Sequence, residues 1–346
     1  MTVNIELRSD TFTSPTDAMR QAMCNAIVGD DVFHEDPTVR QLEERAAALF
    51  GKQDAMFCAT GTMANQIAVM VFCDYGDQVV VHKQSHIYNL ETNSLSTACG
   101  VQPRIIDAPN GYYDLSTLEE ELHIADTQTA ATSLICLENS FNLNKGLAIP
   151  AEHINEICRF GHDRNVKVFM DGARIFNAAV ALKTDVKTLC AEVDAVATCL
   201  SKGLACPVGS LLMGSSEFIK EARRMRQRLG GGWRQAGILA AAGLVAFSEM
   251  IDRMSEDHDN AQQLANGLVG LGLDINLDEV QTNIIPVGVE PLQVTAAEFC
   301  DYMKAAGINV KNIGKYKVRM ITHKDFSSTQ IDQVLQTIKD APFTNA

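Results

Sequence analysis

The strongest constraint on the fold is a repeating alternation between residues 78 and 215. "QVVVH" (78–82), "SLICLE" (133–138), "VKVFMD" (166–171) and "DAVATCL" (194–200) are short, mostly apolar runs of strand length. Such runs belong to strands covered on both faces. "TLEEELHIA" (117–125) and "AEHINEICRFGHDR" (151–164) lie between them with apolar residues at helical spacing. Strand and helix in alternation predict an α/β fold, a mostly parallel sheet with helices on both faces. "GSLLMGS" (209–215) adds a further strand, bounded by glycines and compatible with an antiparallel direction.

After "GGGWRQAG" (230–237) the pattern changes. One long helical stretch runs on from residue 238, followed by strands at "NIIPVGV" and "KVRMITH" and helices at "AAEFCDYMKAAG" and "STQIDQVLQTIK". This predicts a smaller α+β C-terminal domain of residues 251–346, joined by the long helix to a large domain of residues 1–250 that includes the N-terminal segment. A length of 346 residues suits two domains better than one. The formal charge of −14 argues against nucleic acid or an anionic membrane as partner, since phosphates call for a basic surface. No run of about 18 apolar residues predicts a membrane span. The start "MTVNIELRSD" does not read as a signal peptide. The ten cysteines form no C-x-x-C pair, and several sit inside apolar runs, which predicts free thiols, a cytoplasmic location and no metal site.

Ligands of open α/β sheets bind beyond the carboxyl ends of the strands, and four features fall there. Gly61 and Thr62 open a helix after an apolar segment, as a phosphate site or as ordinary capping. Asp171 ends an apolar run with Arg174 three residues on; the acid caps the next turn or pairs with a pyridinium nitrogen. Lys202 follows "DAVATCL", either a turn lysine reaching to water or a desolvated amine fit for a Schiff base. His86 lies just past "QVVVH", where a lone histidine is structural or catalytic. Together, an amine, an acid, a phosphate site and a flat side chain are the requirements of pyridoxal phosphate.

In the segments "LRSDTFTSPTDAMRQAM", "VGDDVFHEDPTVRQLEERAAALFG", "ATGTMANQIAV", "SHIY", "LICLENS", "MDGARIFNAAVAL", "CLSKGLACPVGSLLMGS", "LGGGWRQAGILAAAGLVA" and "VRMITH", the chain resembles the threonine aldolase/β-eliminating lyase family. The segments span residues 7–323 in family order. The resemblance implies an aspartate-aminotransferase-like fold (pyridoxal-phosphate fold type I) with a seven-stranded sheet. It implies pyridoxal 5'-phosphate as cofactor, bound by Lys202 as a Schiff base, Asp171 at the pyridine nitrogen, His86 stacked on the ring, and Gly61 and Thr62 at the phosphate. Ser9, Arg174 and Arg319 would hold the substrate carboxylate, as suits the guanidinium fork. Arg234 would reach a neighbouring subunit's phosphate in a homotetramer, a dimer of dimers with shared active sites.

The implied activity is retro-aldol cleavage of L-threonine, L-allo-threonine or a related β-hydroxy-α-amino acid to glycine and an aldehyde. An alanine or serine racemase, or a β-eliminating lyase, would use the same fold. The family's "ENTHN" is "ENSFN" here, with Phe141 at the histidine position, and its "DDVYGEDPT" is "DDVFHEDPT", with Phe33 and His34. A lysine that often precedes the triple glycine is Gln227. Phe33, His34 and Phe141 are therefore expected beside the β-substituent. The base is then expected to be His86, a water or His34.

Overall fold

The computed structural model describes residues 5–143 and 145–343. After a short strand β1 (Ile5–Glu6) come β2 (Asp54–Cys58), β3 (Gln78–His82), β4 (Gln102–Ile106), β5 (Thr132–Glu138), β6 (Lys167–Asp171), β7 (Ala195–Cys199) and β8 (Ser210–Gly214). The last seven form one sheet in the order β2-β8-β7-β6-β5-β3-β4. Pairing is parallel from β7 through to β4, and β8 runs antiparallel between β7 and β2. The pattern of unbroken apolar runs is explained by two cores. Val168 and Met170 of β6 enter one apolar cluster and Phe169 the other, on opposite faces of the sheet.

Strand β4 has no counterpart among the expected elements. It is the sheet's edge, its residues are largely accessible, and Pro103 within it has no N–H to give a second neighbour. It therefore lacks the apolar run that marks the interior strands.

Helices α1 (Asp17–Cys24), α2 (Pro37–Phe50) and α3 (Gly61–Phe72) show why the chain turns where it does. The Asp36 carboxylate accepts from the amides of Thr38 and Val39 at the start of α2, Pro37 fills the first turn, and Gly51 ends the helix at φ +65°. Thr60 caps α3 by accepting from the Met63 amide at 3.0 Å.

The single long helix expected after residue 238 is instead two, Gly237–Glu249 and Met254–Gly270. The first packs into the large core through Ala240, Ala242 and Ala246, and the second into a separate core through Ala261, Leu264 and Leu268. A straight rod cannot face both, so the chain bends between them, and Arg253 clamps the bend by donating to both oxygens of Asp257.

The second core lies under β9 (Ile284–Gly288), β10 (Ile308–Asn309), β11 (Lys311–Asn312) and β12 (Lys317–Ile321). The sheet β11-β12-β9 is antiparallel, while β10 pairs in parallel with β1. Ile5 and Leu7, expected with the larger unit, pack in this second core. All ten cysteines carry free thiols, and no described helix is long and apolar enough to cross a membrane.

Gly172, directly after β6, has no space for a side chain: a Cβ there would lie 2.7 Å from the Ala197 carbonyl oxygen of β7. Gly172→Ala is expected to cost roughly 1–3 kcal/mol by forcing the two strands apart. Gly270→Ala, where nothing lies within 4 Å, should leave stability equal or higher. Urea unfolding of both variants checks this, and an unchanged midpoint for Gly172→Ala would contradict the packing described.

Candidate active site

The carboxyl ends of β5, β6 and β7 lie side by side. Glu138 and Asp171 are register partners across β5 and β6, and Asp171 is opposite Ala197 of β7. The loop after β7 carries Lys202 in a tight turn, with the Ala205 amide donating to the Lys202 carbonyl at 2.8 Å and Ala205 itself at φ +58°. A Cβ on Gly203 would meet the Met254 Cε methyl at 3.1 Å, a tight approach that would press on the end of that side chain. The amino end of α3 comes from the other side, after β2. Gly61, Thr62, Asn65, His86, Asp171 and Lys202 thereby line one cleft of about 260 Å³.

Within this cleft Asp171 is buried, and its Oδ1 accepts from the Ala173 amide at 3.0 Å. Asn65 Nδ2 donates to Asp171 Oδ2 at 2.9 Å and to Glu91 Oε1 at 2.7 Å. His86 Nδ1 lies 2.8 Å from the same Glu91 oxygen, and the His86 amide donates to Glu138 Oε2 at 2.7 Å. Burial opposes charge on His86, but the bond to Glu91 and the charges of Asp171 and Glu138 hold its pKa above the usual value. Burial, followed by the Asp171 charge, pushes the Glu138 carboxyl up to about 7. His86, Glu91 and Asp171 offer ligand atoms within 4.8 Å of one another, and Asn65 bridges the two acids by hydrogen bonds.

A second cluster adjoins the first. Arg174 is buried and donates from Nε and Nη2 to Asp10 at 2.8 and 2.6 Å. Burial alone would raise the Asp10 pKa, yet the Arg174 charge and hydrogen bonds, with Lys202 adding to them, hold it at about 2. Ser9 Oγ contacts Asp10 Oδ1 at 3.4 Å. Arg319, on β12 of the smaller unit, donates to Asn142 Oδ1 at 2.7 Å and to the Arg8 carbonyl at 3.3 Å, while its buried Nε has no partner among the described residues. Burial and the Arg174 charge bring its pKa down to about 10. Two guanidinium groups in mutual repulsion, one with an open donor, form a receptor for a carboxylate.

Three residues expected beside the substrate lie elsewhere. Phe141 is 1% exposed, with its ring edge against His82 at 4.7 Å between centroids, so it fills the protein interior and does not line the cleft. Phe33 and His34 sit on an exposed turn after Asp30, where Phe33 is 67% exposed. Arg234 is there too, 3.0 Å from Asp30 and with its guanidinium 5.9 Å from the Phe33 ring centre. Burial and the charges of Arg223 and Arg40 lower the His34 pKa. None of the three lines the cleft of their own chain.

Four site residues were missed in sequence. Glu138 ends "SLICLE" as Asp171 ends "VKVFMD", and that shared signature was available. Asn65 is the polar residue on the buried face of the apolar α3, a second usable signal. Asp10 carries no local mark, since its partner Arg174 is 164 residues away, whereas Glu91 lies only five residues past His86.

Residues 6–290 match the β-eliminating lyase family. The chain is 39% identical to low-specificity L-threonine aldolase 1 of Arabidopsis thaliana, covering 99% of this chain and 97% of that protein. It is 41% identical to the low specificity L-threonine aldolase of Escherichia coli K12, over 95% of this chain and 97% of that one. Its fold superposes on a threonine aldolase of Leishmania major with a TM-score of 0.84 at 15% identity, covering 97% and 98% of the two chains. The large sheet with its appended α+β unit is thus the aspartate-aminotransferase-like fold, and the chain belongs to the β-eliminating lyase family.

Proposed function

We propose that this chain is a pyridoxal-5'-phosphate-dependent aldehyde-lyase that cleaves L-threonine, L-allo-threonine and related β-hydroxy-α-amino acids to glycine and an aldehyde. One observation carries this: an amine, a buried acid, a helix amino terminus and an imidazole converge on one cleft, with two arginines beside it. The names of the relatives point the same way.

The residues fit the cofactor. A Cβ on Gly61 would lie 2.8 Å from Cys199 Sγ, so only a bare backbone fits where α3 meets the cleft, and the amides of Gly61 and Thr62, ahead of the capped Met63, would be offered to a phosphate. Asp171 would accept from the ring N–H, Lys202 would hold the aldehyde and His86 would stack on the ring. When bound, pyridoxal phosphate supplies an electron sink for the pair left at Cα.

The chain's own groups supply the remainder. Ser9, Arg174 and Arg319 bind the α-carboxylate, which fixes the rotation about the Cα–N bond and therefore which bond is aligned for cleavage. Asp10 is a positioning residue that holds the Arg174 fork. His86, with Nδ1 held by Glu91, presents Nε2 to take the β-hydroxyl proton. Lys202 is the amine for returning a proton to Cα. Phe33, His34 and Arg234, exposed on one chain, would complete the cleft of a second copy in a homotetramer of shared sites. The same proposal puts the enzyme in the cytoplasm and divides it near residue 250.

Lys202→Ala is expected to lose the yellow colour of the holoenzyme and to drop glycine release from L-threonine by about three orders of magnitude or more. Visible absorbance and glycine assay measure both, with L-alanine and L-serine run in parallel. D-alanine from L-alanine, with no glycine from any β-hydroxy amino acid, would overturn the aldolase in favour of a racemase.

Asp10→Asn is expected to destabilise the fold by about 3 kcal/mol, by leaving the Arg174 charge buried and unpaired. A folded pKa near 2 against an unfolded 3.8 means the Asp10 carboxylate's stabilisation is complete at neutral pH and fades as pH falls toward 2. The gap between wild type and variant should accordingly be flat down to about pH 4 and narrow below it in urea titrations. A gap that widens on acidification would refute the assignment.

A further inference from the structure

A second cavity, about 750 Å³, lies between the smaller unit and the loop after β3. Strand alternation explains its character. Val318 and Met320 of β12, with Ile285 and Val287 of β9, point into the second core. The opposite face carries Lys317 and Arg319, paired in register with Gly288 and Pro286, and this face lines the cavity. Lys83 and Lys145 line it as well, and among the described residues no acid does. In a chain of net charge −14 that is a pronounced local excess of positive charge.

Two of the four cations are already neutralised. Lys83 pairs with Asp107 at 2.9 Å and Lys145 with Glu279 at 2.6 Å. Arg319 has only neutral acceptors, Asn142 and the Arg8 carbonyl, and Lys317 has no ion pair among the described residues. Lys311 stands directly across from Arg319 on β11, and burial followed by the charges of Arg319 and Arg174 lowers its pKa. The walls between the cations are apolar, formed by Ile284, Pro286 and Ile313.

We infer that this cavity is a subsite for the β-substituent of the substrate, and that it selects β-hydroxy-α-amino acids whose side chain has an apolar spacer ending in an anion. The inference rests on the aldolase proposal, with Arg319 as the α-carboxylate clamp. Lys317 and Arg319 are two residues apart on one strand face, about 7 Å along the strand. That separation suits a rigid spacer such as a phenyl ring between the substrate's two carboxylates. In cleavage of such a substrate the Cα–Cβ bond breaks, the hydroxyl proton leaves as its oxygen becomes the aldehyde oxygen, and a proton enters at Cα. No oxidant, reductant or water is consumed.

The test compares the holoenzyme on L-threonine, threo-phenylserine and threo-4-carboxyphenylserine, following the aldehyde released. The expected result is a kcat/KM about tenfold higher for the carboxylated compound than for phenylserine, expressed in KM and reduced by salt. Lys317→Met should erase that preference while leaving L-threonine and phenylserine within about twofold of wild type. Equal rates on the two aromatic substrates, or a Lys317→Met loss shared by all three, would overturn the subsite while L-threonine cleavage keeps the aldolase proposal standing. Absence of aldehyde from every substrate would overturn both.

Discussion

The buried pair of Asp10 and Arg174 is the contact on which the site depends. Arg174 follows β6 of the large sheet, whereas Asp10 follows β1, whose Ile5 and the adjoining Leu7 belong to the second core. Asn283 of the smaller unit reaches the same carboxylate at 3.5 Å. Three parts of the chain are therefore joined at one desolvated carboxylate. The two charges are costly to bury and are compensated chiefly by their mutual geometry, with Asn283 and the Lys202 charge adding to it, so their alignment is fixed tightly. Arg319 and Lys202 sit in the field of this pair.

Charge is sorted across the site. Glu138, Asp171 and Glu91 form an acidic wall around His86, at the ends of β5 and β6 and beyond β3. Arg174, Arg319 and Lys311 form a basic wall contributed mainly by the smaller unit. Each wall is internally repulsive. In the acidic wall burial and the Asp171 charge push the Glu138 carboxyl up to about 7, and among the described residues the basic wall keeps one unpartnered donor, Arg319 Nε. A zwitterionic amino acid is complementary to such a division.

The parallel sheet, its antiparallel β8 and the smaller α+β unit were all legible in the sequence, because strands buried on both faces leave unbroken apolar runs. The placing of Lys202, Asp171, Gly61 and His86 in one cleft was legible for a related reason: each ends such a run or follows it within a few residues, and β2, β3, β6 and β7 run in one direction. Edge strand β4 was not, having neither apolar continuity nor a second neighbour. The break at residues 250–253 was not either, as no glycine or proline marks it and its cause is the position of two cores. Phe141 shows the limit of reading by position alone. A residue placed by motif spacing took its orientation from packing against His82, which no local pattern encodes.

The strict alternation along β12 also bears on how this protein can change. Val318 and Met320 face the second core while Lys317 and Arg319 face the site side, so a one-residue slip of β12 against β9 would exchange the two sets. Charged groups would enter the core as the aliphatic ones emerged. The buried set thus pins the register of the whole strand, whereas substitution at position 317 is free to retune which molecules are accepted.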